Sequence, residues 1–165
     1  MWVSRTGISV TPTSGAGAGV GAAFILGFDG RHPHTAYPNK PFLRSHKHCT
    51  FAVSFKHKTG RTAIGFQFAA PVDTYLTPAH TPAGASYVSL GGAGYIYPTG
   101  IYVALRYQEG DKVALGLDWI SNTLTFTVGS RHKTFPIPPE AAFAYPSLSV
   151  EDGEVVVEVV TNADT

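Results

Sequence analysis

Apolar and polar residues alternate most cleanly between positions 110 and 130, where Val113, Leu115 and Leu117 share one face and Lys112, Ala114, Gly116 and Asp118 share the other. A period of two belongs to an extended strand with one buried side. Leu124, Phe126 and Val128 repeat the pattern against Thr123, Thr125 and Thr127, and threonine's branched β-carbon suits the solvated face of a strand. With Ser121-Asn122 as a turn between them, the stretch predicts an antiparallel hairpin.

The same alternation recurs elsewhere. Cys49, Phe51, Val53 and Phe55 form an apolar face opposite His48, Thr50, Ala52 and Ser54, and Ile64, Phe66 and Phe68 form another, with Gly65 and Gln67 facing out. Residues 50–55 and 62–68 are therefore expected to pair as a second hairpin across the turn at 56–60. Residues 8–10 predict a short edge strand, 23–28 an apolar strand, 131–134 a short exposed strand, and 143–150 with 155–160 the strands that close the sheets. The last is apolar on both faces apart from Glu158, which predicts a central position. Residues 31–41 hold three prolines, too many for an interior strand, so this segment is expected to run over the surface. Residues 69–85, with Pro71, Pro78 and Pro82, predict another long surface excursion carrying Tyr75 and His80. Residues 87–100 mix tyrosine with glycine and predict a narrow strand, turn and strand with partly exposed tyrosines.

Composition narrows the class. With 165 residues and 44% apolar content, the chain has length for one full core and not two. The 18 glycines and 12 prolines punctuate short segments, as in an all-β sandwich or barrel. The expected organisation is an edge strand and Gly/Ala-rich loop over 1–22, a single sandwich over 23–161 and a tail over 162–165. A net charge of +1 gives no electrostatic case for nucleic acid or an anionic membrane. The apolar run at 15–28 lacks the features of a secretory signal and is too short to span a bilayer. The single cysteine, Cys49, excludes an internal disulfide framework and suits a reducing intracellular compartment.

Candidate chemistry is sparse. His32-x-His34 and His46-x-His48 each put two imidazoles on one side of an extended segment, but a metal site wants further ligands and Cys49 faces away from His48. Solvated histidines, no metal and no cofactor are expected. Asp111 and Asp118 stand at strand ends, where aspartate accepts backbone N–H groups, rather than as a glycosidase pair. Ser147 and Ser149 alternate along a strand outside any Gly-x-Ser-x-Gly elbow and read as outer-face residues. Cys49 reads as a small buried hydrophobe. The Gly-rich run at 15–21 has no Lys-Ser/Thr ending to make a phosphate loop.

The order of these signals resembles the SPRY domain family. Gly110-Asp111, Val113, Gly116, Leu117-Asp118, Leu124-x-Phe126, Phe135 and then Tyr145-Pro146-Ser147-Leu148-Ser149 follow the family's run of a Gly-Asp turn, a strand ending in Leu-Asp, a Leu-x-Phe strand, a phenylalanine and a Tyr-Pro strand. Ile64-Gly65 resembles its earlier hairpin and residues 87–100 its glycine-rich middle. Two positions depart from the pattern. Gly129-Ser130 stands where Asn-Gly is frequent, and glycine there still accepts the positive φ of a tight turn. Glu151-Asp152 stands where peptide-binding members carry a tryptophan.

The resemblance implies a bent two-sheet antiparallel β-sandwich, concanavalin-like, without catalytic activity. It would bind another protein, as a short peptide or a folded surface, through loops at one rim: residues 31–41, 69–85, 87–100 and 151–153. Arg31, Pro33 and Tyr75 match positions that line the peptide site in one branch. Tyr37, Tyr95 and Tyr97 are the further aromatic anchors expected on these loops. A carbohydrate-binding, lectin-like use of the same sandwich is the alternative, with Trp119, Tyr95 or Tyr97 as the ring that stacks on a sugar.

Overall fold

The computed structural model describes residues 2–3, 9–12, 22–29, 34–38, 40–72, 75–151 and 153–163. Among them the strands are β1 (Trp2–Val3), β2 (Ser9–Pro12), β3 (Ala22–Asp29), β4 (His34–Pro38), β5 (Phe42–Leu43), β6 (His48–Lys58), β7 (Arg61–Gln67), β8 (Tyr87–Gly91), β9 (Tyr95–Tyr97), β10 (Ile101–Tyr102), β11 (Lys112–Asp118), β12 (Thr123–Val128), β13 (Arg131–Pro136), β14 (Phe143–Glu151) and β15 (Glu154–Ala163). They form two sheets. One runs β1-β4-β14-β7-β8-β9-β10 with β5 also on β14, and the other runs β13-β12-β11-β6-β15-β3-β2.

The hairpin read from positions 110–130 forms as expected, with Val113 opposite Val128, Leu115 opposite Phe126 and Leu117 opposite Leu124. All six side chains are buried. Asn122 takes φ 55° in the first turn and Gly129 φ 61° in the second. β15 lies centrally between β6 and β3, as its two-sided apolar pattern requires, and β13 is an exposed edge.

Three expectations are corrected. β6 and β7 do not pair: β6 lies between β11 and β15, whereas β7 lies between β14 and β8 in the other sheet. Their apolar faces meet across the interior, Phe51 against Phe66 with ring centroids 5.2 Å apart. Two strands that each carry aromatics on one face bury more by facing each other than by lying side by side.

The 31–41 segment is not all surface loop, because β4 pairs with β14 and with β1. Pro38 ends the strand and Pro41 follows it, so His34 to Tyr37 keep the N–H groups that a ladder needs.

The 69–85 segment is not an exposed excursion either, since Tyr75, Leu76 and Thr77 are buried. It covers the outer face of the β14-β7-β8 region. Leu76 N–H donates to Ser149 Oγ at 3.2 Å, Ser89 Oγ donates to Leu76 O at 2.7 Å, and Val72 N–H donates to Gln67 Oε1 at 2.9 Å. Ser147 and Ser149 do face outward, but beneath this cover. Small hydroxyl and amide side chains let backbone approach closely and give its polar groups partners.

Candidate functional site

Strand ends and connections converge at one rim. β6 ends in Lys58, the chain turns at Thr59-Gly60, and β7 opens with Arg61 and Thr62. Glu151 closes β14 and stands opposite Arg61 in register. The turn is tied to β15 by Thr59 N–H donating to Glu154 O and Glu154 N–H donating to Thr59 Oγ1, both at 2.9 Å. Gly153 passes so near that a Cβ there would fall 2.9 Å from Gly60 Cα, so only glycine fits. The 91–94 turn and the 75–80 stretch supply the sides.

These elements bound a cleft of about 800 Å³, within the roughly 300–1,000 Å³ of ligand sites. Tyrosines make its walls. Tyr107 stacks on Phe55 at 4.9 Å, accepts from Thr62 Oγ1 and donates to Leu90 O, each at 3.0 Å. Burial pushes its pKa well up, so the phenol stays a neutral donor. Tyr75, only 6% exposed, donates to Thr62 O at 3.3 Å and sets its ring edge to face with His80 at 5.7 Å. Tyr95 is 41% exposed and leans on Tyr102 at 5.2 Å, while Tyr97 is half-buried.

Charge sits at the floor and mouth. Glu151 is largely buried, with Oε1 3.5 Å from Arg61 and Oε2 2.8 Å from His80 Nε2. Lys58 Nζ donates to Gly60 O at 3.0 Å, and burial lowers its pKa.

Tyr75, Tyr95 and Tyr97 are thus brought together. Tyr37 is not: it lies on β4, half-buried, with its ring edge-on to Tyr145 at 6.1 Å. Arg31 and Pro33 lie outside the described residues. Trp119 is buried beneath the Arg44 guanidinium, 4.8 Å from its ring, and so cannot stack on a sugar. His46 Nδ1 accepts from Leu43 N–H at 3.1 Å and His48 lies 3.7 Å from Asp118. Among the described residues no group of three or more His, Cys, Asp or Glu side chains is arranged for a metal ion. Lys58, Arg61, Thr62 and Tyr107 were not legible as site residues. They lie in or beside strands whose pattern speaks only of the core, and nothing in the sequence brings position 61 to position 151.

Two antiparallel sheets packed face to face, with a cleft built at one rim from strand ends and connections, define a concanavalin-like sandwich. Within that class the chain has the fold of SPRY domains. It is similar to the SPRY domain of human HERC1, with a TM-score of 0.63 and 16% identity over 94% of this chain and 94% of that one. It is also similar to a human SPRY domain, with a TM-score of 0.57 and 17% identity over 95% of this chain and 97% of that one. A sialidase aligns at a TM-score of 0.50 and 11% identity, over 99% of this chain and 16% of the sialidase. No family model and no curated protein sequence matches the chain.

Proposed function

We propose that this domain is a non-catalytic interaction module that holds a segment of another protein in the rim cleft. The observation that carries this reading is the cleft itself: three tyrosines, Tyr75 from the 69–85 connection and Tyr95 and Tyr97 from β9, converge around a volume of about 800 Å³ with charged groups beside them. Buried aromatic and arginine side chains are the residue types that anchor protein contacts. The SPRY fold is consistent with such a role. Tyr75 and Tyr107 are fixed by hydrogen bonds through Thr62, so the inner wall is preorganised, which lowers the cost of ordering on binding. Tyr95, more exposed, remains for the ligand to cover.

A display library of unstructured peptides, panned against the whole protein, tests the reading. Retained peptides should lose binding to a Tyr95→Ala, Arg61→Ala double variant that melts like the wild type. Retention unchanged by that variant would move the site elsewhere. A saturable signal on a glycan array with no retained peptide would favour carbohydrate instead.

A further inference from the structure

Among the described residues that line the cleft, Glu151 is the only carboxylate, and its side chain is 12% exposed. Arg61 touches its Oε1 at 3.5 Å from a side chain that is itself 74% exposed. Its Oε2 is shielded from solvent and is faced by His80 Nε2 at 2.8 Å. A carboxylate oxygen removed from water costs free energy unless a donor or a cation faces it. The His80 ring reaches this place from the turn at 77–81. Its Nδ1 is 3.1 Å from Thr77 Oγ1 and its ring meets Tyr75 at 5.7 Å. An imidazole thus occupies, between a tyrosine ring and a carboxylate, the position that suits a flat cation.

We infer that the cleft takes a basic side chain of the partner segment, arginine ahead of lysine, which displaces the His80 ring, pairs with Glu151 and lies against Tyr75. This rests on reading the cleft as the site of a protein segment. Arginine ranks first because its planar fork can satisfy both carboxylate oxygens and stack on an aromatic face at once, and tyrosine faces attract cations. An acidic ligand is the competing possibility, since Lys58 and Arg61 are also present. Arg61, however, stands mostly in water, where charge pairs are worth little, and Lys58 is already engaged by Gly60 O. The group held out of water is the anion, with Glu151 Oε2 fully shielded from solvent.

A positional-scanning library of ten-residue synthetic peptides, incubated with the intact protein, tests this, with the best peptide titrated by calorimetry. Arginine should be enriched at one position. Glu151→Gln should weaken that peptide by about tenfold or more and abolish the arginine preference, with a thermal melt confirming that the variant is folded. His80→Ala, which vacates the place, should strengthen binding severalfold, a change opposite to what a purely structural His80 would produce, and this arm stands even if Glu151→Gln fails to fold. Enrichment of acidic or apolar residues, with binding still lost in Tyr95→Ala, overturns the basic side chain and leaves the interaction module standing. Arginine enrichment that survives Glu151→Gln also overturns it. No retained peptide in any library overturns both readings.

Discussion

Phe51 on β6 and Phe66 on β7 meet edge to face, 5.2 Å between centroids, although their strands follow one another and belong to opposite sheets. Phe66 also contacts Phe42 at 5.9 Å and Phe68 at 6.3 Å, so it knits the two halves of the interior. Phe66→Ala should cost about 3–5 kcal/mol through lost burial and a residual cavity, a large part of the roughly 5–15 kcal/mol that holds a domain folded. A lower urea midpoint at unchanged slope is the expected result.

That pair also explains what the sequence could and could not tell. Alternation at Phe51-Val53-Phe55 and Ile64-Phe66 states which faces are apolar, and both faces are in the core. It does not state whether two such strands share a sheet, because side-by-side and face-to-face arrangements use the same period. The 113–128 hairpin was legible because its turns are marked by Asn122 and Gly129 and its threonines name the solvated side. Tyr75-Leu76-Thr77 has no period at all, and its burial comes from Ser89 and Ser149, distant in sequence. The cleft was half legible: the tyrosines announced themselves on loops, whereas Arg61, His80 and Glu151 come together only through the β7–β14 register and the covering segment.

Two glycines in strands should respond oppositely to alanine. At Gly65 a Cβ would run into Val88 O and lie 2.7 Å from Ser89 Cα, both backbone atoms of the adjoining strand, so Gly65→Ala must push β8 away from β7. At Gly116 nothing lies within 4 Å, and Gly116→Ala should stabilise by about 0.5–1 kcal/mol through reduced freedom of the unfolded chain. Paired thermal melts check the sign of each.

Arg44 is a fastening point rather than a binding residue. Its guanidinium donates to Ala141 O at 2.7 Å, Pro139 O at 2.9 Å, Trp119 O at 3.1 Å and Asn122 Oδ1 at 2.7 Å. It thereby joins the 119–122 turn to the 137–142 connection. Lysine keeps the charge and loses the fork, so Arg44→Lys should destabilise by about 1.5–3 kcal/mol. A substitution as well tolerated as an ordinary surface change would show that these bonds are replaced by water.

Asp118 gives the fold part of its acid limb. Desolvation is the largest single influence and raises its pKa, but the backbone N–H and hydroxyl of Ser121, the N–H of Ile120 and nearby His48 together outweigh it and hold the carboxyl below its ordinary value. Ile120 N–H donates to Oδ1 at 2.9 Å and Ser121 N–H at 3.2 Å. A depressed pKa contributes stability that is complete above the unfolded value and is lost as pH falls through the folded one. As pH falls from the ordinary carboxylate range through the lowered folded value, the wild type should therefore lose more stability than Asp118→Asn. The difference should be small, because the group is well exposed.

The tyrosines of the cleft should divide between stability and binding, and that division separates a built site from an incidental hollow. Tyr75 is buried, with its hydroxyl on Thr62 O, so Tyr75→Phe should cost about 0.5–1.5 kcal/mol of stability and leave the wall in place. Tyr95 is 41% exposed and rests on Tyr102, itself exposed. Tyr95→Ala should leave the melting temperature nearly unchanged, as surface substitutions generally do. It should weaken a retained peptide by about 1–2 kcal/mol if the ring is covered on binding. The measurement is calorimetric titration of one peptide against wild type, Tyr75→Phe and Tyr95→Ala. Equal affinities in all three would mean that the ligand does not lie between these rings.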